Sequence, residues 1–252
     1  MYMLDTIFDT IPSIVKKNKF LPIDGVVNKK FSGTDTEDLL KHNLKTQPID
    51  WYYRHASVNY TLNSRGYRTD EFKTIDWANS IVIFGCSNVF GVGVDDQYTM
   101  AVQLSKLVNK PVINMGVGGS SITFALHNAI ILGAGYPTPF AVVNLWTDHA
   151  RTVYYHNRRV AAHGSWNLEK NNYSDLWTKE ESHGKTHAIF ASKTSKLLWK
   201  NTKYFEASFF KKTANLLNCK VMEHTPDARD CMHFGNSTHY KSAVTIAENL
   251  KL

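Results

Sequence analysis

Three short apolar, β-branched runs set the period of the chain. Ile81-Val82-Ile83-Phe84 ends at Gly85, Pro111-Val112-Ile113-Asn114-Met115 ends at Gly116, and Phe140-Ala141-Val142-Val143-Asn144-Leu145-Trp146 ends at Thr147-Asp148. Continuous apolar runs of this length, bounded by turn residues, predict strands buried on both faces. Helical patterns lie between them, over residues 97–108 and 121–132. Alternation of this kind predicts a parallel sheet with right-handed crossovers, an α/β architecture. A fourth run, Lys220-Val221-Met222-Glu223-His224, predicts another strand. A long helix is expected before it, over residues 193–218, and a terminal helix from about Thr238. Residues 1–79 are mixed in pattern and are expected to form an N-terminal extension packed on a domain of residues 80–252. Residues 151–192, rich in aromatics, Asn and His, interrupt the regular alternation and are expected to be an insertion or lid.

In a doubly wound sheet ligands bind beyond the carboxyl ends of the strands, so the residues after each run are where chemistry is expected. These are Gly85-Cys86-Ser87-Asn88-Val89-Phe90-Gly91, Gly116-Val117-Gly118-Gly119-Ser120, Thr147-Asp148-His149 and the loop Asp230-Cys231-Met232-His233. A hydroxyl, an imidazole and a carboxylate at one sheet edge are the components of a nucleophilic triad. Ser87 on its own reads more readily as a turn or helix cap than as a nucleophile, and Gly119 reads also as a turn residue of positive φ. Cys86 is an alternative nucleophile, although a free cysteine in a buried turn usually behaves as a small hydrophobe.

Other signals are weaker. Neither glycine-rich turn completes a phosphate loop or a dinucleotide fingerprint, and the nucleophile elbow G-x-S-x-G is absent because Val89 stands at its second glycine. His149, His156 and His163 recur every seven residues and His183 and His187 are four apart, but no carboxylate or cysteine completes a ligand set, so no metal and no cofactor is expected. Tyr154, Tyr155, Trp166, Tyr173 and Trp177 suit either a sugar-stacking wall or the core of the insertion.

The chain has 252 residues, 43% hydrophobic and 20% charged, enough to bury a large core. Three cysteines without a C-x-x-C pair indicate neither a disulfide framework nor a thiolate metal site. With no signal-like start and no apolar run near 18 residues, a cytoplasmic protein is expected, without a membrane partner. The net charge of +7 invites a polyanionic partner, but it is concentrated in residues 151–252, which carry 16 basic and 9 acidic side chains. Lys193, Lys196, Lys200 and Lys203 fall on one stripe of the expected long helix, and no aromatic-and-basic motif accompanies them. A solvated helix face, and no nucleic acid, is the expectation.

Taken in order, the blocks resemble the SGNH (GDSL-type) hydrolases. Gly85-Cys86-Ser87 with Gly91 resembles the family's first block, Asn114-Met115-Gly116-Val117-Gly118-Gly119 its second, and the D-x-x-H pair Asp230 and His233 its last. Asn63-Ser64-Arg65-Gly66-Tyr67-Arg68 also resembles the lead-in of some members. The resemblance implies a flavodoxin-like, three-layer α/β/α domain and a serine esterase acting on a small-molecule or carbohydrate ester. Ser87 would attack the acyl carbonyl, His233 would act as general base, and Asp230 would orient it. The oxyanion would be held by the N–H groups of Ser87 and Gly119 and by a side chain of the third block. There the family's G-x-N-D motif is replaced by Leu145-Trp146-Thr147-Asp148, which puts Thr147 at the asparagine position. Asn88 or Asn144 is an alternative donor, and Asn88, Asp148, His149 and Arg151 are candidate substrate contacts. Two other functions are consistent with the same residues: a binding or structural module with little activity, and an O-acyltransferase.

Overall fold

The computed structural model describes residue 20 and residues 28–156, 159–164 and 181–252. Five parallel strands form the central sheet: β1 (Ile81–Gly85), β2 (Val112–Gly116), β3 (Ala141–Trp146), β4 (Lys203–Ser208) and β5 (Lys220–Val221), in the order β2-β1-β3-β4-β5. This is the flavodoxin-like order, and its switch point lies between β1 and β3. β1 and β3, with most of β2 and β4, are buried on both faces because successive side chains feed opposite helical layers. Val82, Phe84, Ile113, Met115, Val142 and Trp146 meet α4 (Ile122–Gly135) and α5 (Glu181–Leu198) on one side. Ile81, Ile83, Val143, Leu145, Phe205 and Ala207 meet α3 (Met100–Val108) and α7 (Asn236–Leu250) on the other. The architecture is therefore three-layered.

Two expectations are corrected. The expected helix over residues 193–218 is three elements: α5 ends at Leu198, β4 follows, and α6 spans Lys211–Leu217. The sequence Lys203-Tyr204-Phe205-Glu206-Ala207-Ser208 alternates as a strand does, and the charge in its centre disguises it. Glu206 is nearly buried, accepting hydrogen bonds from Trp146 Nε1 (3.0 Å), Ser192 Oγ (2.9 Å) and Tyr204 Oη (3.0 Å) and pairing with Lys196 (2.6 Å). The lysine stripe dissolves with the helix. Only Lys193 and Lys196 lie on α5, and Lys203 Nζ instead reaches the carbonyls of Leu250 and Lys251 at the end of α7, where a cation suits the exposed carbonyls. The loop bearing Asp230 and His233 thus follows the fifth strand of the sheet, not the fourth.

A two-stranded antiparallel hairpin, Thr152–His156 with Arg159–His163, leaves the end of β3. Trp166, Tyr173 and Trp177 lie outside the described residues. At the amino-terminal side, residues 28–79 carry α1 (Glu37–Thr46) and short 3₁₀ turns. Tyr53, Val58, Tyr60 and Leu62 of this stretch pack with Phe90 and Val92, just beyond the turn that holds Ser87. Among the described residues no helix is long and apolar enough to cross a membrane.

Candidate active site

The site lies at the carboxyl ends of β1 and β3, at the switch point. β1 delivers the chain into a four-residue helix, α2 (Ser87–Phe90), whose first residue is Ser87. Two devices fix that turn. Asn114 of β2 donates through Nδ2 to Val89 O (2.9 Å) and accepts at Oδ1 from Gly116 N (2.9 Å), which fastens α2 to the second strand. Gly116 is required by contact, since a Cβ there would lie 2.4 Å from Phe90 N. The last loop then closes against the far end of this turn through Gly93, whose φ is +76° and whose added Cβ would lie 2.9 Å from Arg229 N.

The loop of residues 227–235 is shaped by its own acid. Asp230 Oδ1 accepts from the backbone N–H groups of Met232 (3.0 Å) and His233 (2.9 Å), a local turn that fixes how far the imidazole stands from the carboxylate. Cys231 takes a left-handed conformation (φ +56°) to make the bend, and Gly235 N is held by Asp227 Oδ1 (2.7 Å). His233 Nδ1 lies 2.7 Å from Asp230 Oδ2, and its Nε2 lies 2.8 Å from Ser87 Oγ. An ionised carboxylate can only accept, so the proton of the neutral ring belongs on Nδ1 and the Nε2 lone pair faces the serine hydroxyl. Burial works to raise the Asp230 carboxyl, but the hydrogen bond and charge of His233, followed by the hydroxyl of Thr34, outweigh it and hold it below its ordinary value. Ser87 and Asp230 are buried and His233 is 17% exposed at its side chain, so the imidazole bridges a sheltered acid and the site opening.

The remaining expected residues fall in different settings. Gly119 (φ +71°) sits in the turn Val117–Ser120, closed by Ser120 N to Val117 O (3.2 Å), and positive φ at the third position is what a type II turn demands. Gly118 beside it faces open space. Thr147 directly follows β3, and its Oγ1 is buried without a hydrogen-bond partner among the described residues. Asn144 donates through its amide to Tyr204 Oη (3.1 Å) on the neighbouring strand β4. Asn88 is buried on α2 next to Ser87. His149 is buried against α6, with Nδ1 3.0 Å from Thr213 Oγ1, so packing accounts for it. Asp148 Oδ1 accepts from Ala150 N (3.0 Å) in a local turn, and the guanidinium of Arg151 lies over the Phe210 ring (5.2 Å). Among the described residues, no group of three or more His, Cys, Asp or Glu side chains is placed to hold a metal ion.

Four residues at the site carry no signal in the sequence. Thr34 Oγ1 donates to Asp230 Oδ2 (2.6 Å), across 196 positions of chain. Asp35 pairs with Arg229 through both oxygens (2.9 and 2.7 Å), and Asn43 donates to Arg229 O (3.0 Å). All but Arg229 belong to the segment before the α/β core. Ser32-Gly33-Thr34-Asp35 reads only as a turn.

No family model and no curated protein matches the chain. Solved structures similar to it include a carbohydrate esterase family 2 enzyme with a carbohydrate-binding domain from Corynascus thermopiles (Myceliophthora fergusii), at 11% identity over 69% of this chain and 67% of that chain, with a TM-score of 0.42. A Bacteroides uniformis protein named as a GDSL-like lipase is similar at 11% identity over 69% and 96%, with a TM-score of 0.45. The acetyl xylan esterase Est2A of the rumen bacterium Butyrivibrio proteoclasticus is similar at 10% identity over 71% and 65%, with a TM-score of 0.40.

Proposed function

We propose that this chain is a serine hydrolase of SGNH type that cleaves a short-chain acyl ester. One observation carries the reading: Ser87 Oγ, the His233 ring and the Asp230 carboxylate form a continuous relay with links of 2.8 and 2.7 Å. Both links fall within the reach that proton transfer from a nucleophile to its base requires. In the acylation step Ser87 Oγ attacks the ester carbonyl while its proton passes to His233 Nε2, and the imidazolium is stabilised by Asp230. The tetrahedral oxyanion is received by the N–H groups of Ser87 and Gly119, with Thr147 Oγ1 as third donor. A buried hydroxyl lacking a partner costs about 1–3 kcal/mol. A developing oxyanion that accepts a hydrogen bond from the Thr147 hydroxyl relieves that cost most fully while charge is present, which is how a donor lowers a barrier. His233 then protonates the leaving alkoxide. Water attacks the acyl-serine by the same route and restores the free hydroxyl.

The test uses a short-chain aryl ester and an acetylated sugar as parallel substrates. Wild type is expected to hydrolyse at least one and to react covalently with a fluorophosphonate probe at Ser87, whereas Ser87→Ala does neither. Full activity in Ser87→Ala removes the triad assignment. A wild-type chain that neither turns over ester nor takes the probe favours the non-catalytic binding module. Product in which the acyl group appears on an added sugar hydroxyl favours acyl transfer over hydrolysis.

A further inference from the structure

We infer that Thr34 is a positioning residue of this site, fixing through its hydroxyl the Asp230 carboxylate that orients His233. The inference rests on the Ser87–His233–Asp230 reading above. The Asp230 carboxylate is buried and receives four donors. Oδ1 takes the N–H groups of Met232 and His233, and Oδ2 takes His233 Nδ1 and Thr34 Oγ1. Without Thr34, Oδ2 would be held only by the imidazole whose orientation it is meant to set. The Thr34 oxygen also lies 3.3 Å from His233 Nδ1, alongside the ring N–H, where it opposes a swing of the ring away from the acid.

The contact is built into the fold. Adjacent residues of the amino-terminal segment grip adjacent residues of the last loop: Thr34 holds Asp230, and Asp35 holds Arg229. Asp35 is anchored further by Tyr60 Oη (2.5 Å), whose oxygen in turn accepts from Gly93 N (2.7 Å) in the turn beyond Ser87. The turn at residues 32–35, with Gly33 at φ +63° and reciprocal Ser32 and Asp35 backbone bonds, presents Thr34 to the acid. A β-branched side chain with few rotamers suits that presentation. The charged and titratable groups around the pair are Arg229, neutralised by Asp35, Cys231 on the same loop, and His239 on α7, which feels the charges of His233 and Arg68. Of the four donors to Asp230, Thr34 is the one that comes from outside the loop.

Two readouts separate positioning from general support. The first is the carboxyl titration of Asp230, followed by carbon NMR in the full chain. Removing a donor makes the carboxylate more basic, so Thr34→Val should raise its midpoint, while Thr34→Ser leaves it in place. The second is the hydrolysis of a short-chain aryl ester, where Thr34→Val should lower kcat about tenfold with KM little changed and Thr34→Ser should retain most of it. Thr34 is exposed, so folding is not at stake, and Thr34→Ala serves as a second donor-free variant. An unmoved Asp230 midpoint in folded Thr34→Val and Thr34→Ala overturns the inference, whatever happens to activity. A midpoint that moves in a chain with no ester hydrolysis supports the positioning role and overturns the esterase reading instead.

Discussion

At Asp230 a substitution changes hydrogen bonding and charge together, because every lone-pair direction of the carboxylate is used. Asp230→Asn keeps the shape, but its amide group can meet His233 Nδ1 only by donating to it. The ring proton then moves to Nε2, where it blocks transfer from Ser87. We expect kcat to fall about 10⁴-fold with KM little affected, measured on the short-chain ester, because the orienting acid fixes the tautomer. That Ser87, Asp230 and His233 meet was legible in the sequence, because strand ends mark the ligand edge and because three-residue spacing lets one loop display both a carboxylate and an imidazole. Thr34 was not. Its contact is made across 196 residues, and a threonine in a short turn has no pattern to distinguish it from a solvated one. The setting of the residues after β3 was hidden for a related reason: sequence places His149 at the ligand edge but cannot tell that Thr213 of α6 lies against its ring.

Among the elements, α3 and α7 are joined by one buried histidine. His239 Nδ1 accepts from Met100 N (2.9 Å), the first residue of α3, so a side chain of the last helix completes the start of an earlier one. Burial first, and then the charges of Arg68 and His233, lower its pKa from 6.5 to about 3, against a raising effect from the Phe234 backbone. The folded chain therefore holds a neutral ring where the unfolded chain takes up a proton. Stability is unaffected by this group above about pH 6.5, and it falls by about 1.4 kcal/mol per pH unit as pH drops from there toward 3. His239→Asn keeps an acceptor for Met100 and should flatten that part of the curve, read from urea midpoints between pH 4 and 8. Element prediction succeeded for β1, β2 and β3, whose runs are apolar but for Asn114 and Asn144, and failed for β4. There Tyr204, Glu206 and Ser208, which share one face of the strand, are polar, and their hydrogen bonds with one another and with Trp146 do the work that apolar patterning does elsewhere.

For the whole molecule, the Asp35–Arg229 pair joins the amino-terminal segment to the last loop, with side chains only 1% and 5% exposed. Breaking one side of a buried pair leaves an uncompensated charge, a cost of about 3–5 kcal/mol. Asp35→Asn is expected to lower the urea midpoint accordingly, and to reduce ester turnover under conditions where the chain is still folded. Loss of stability with unchanged turnover per folded molecule would show that the segment braces the fold without influencing the site. The α/β/α core was legible because its alternation is local. The role of residues 28–46 was not, because each of their links to the site is a long-range one. That arrangement has a temporal consequence. Ser87 meets His233 across 146 residues and Thr34 meets Asp230 across 196, and contacts of such separation carry the largest loop-closure cost in folding. A chain whose sheet has already begun to form still holds Ser87 apart from His233, and the two meet only once the loop of residues 227–235 has docked.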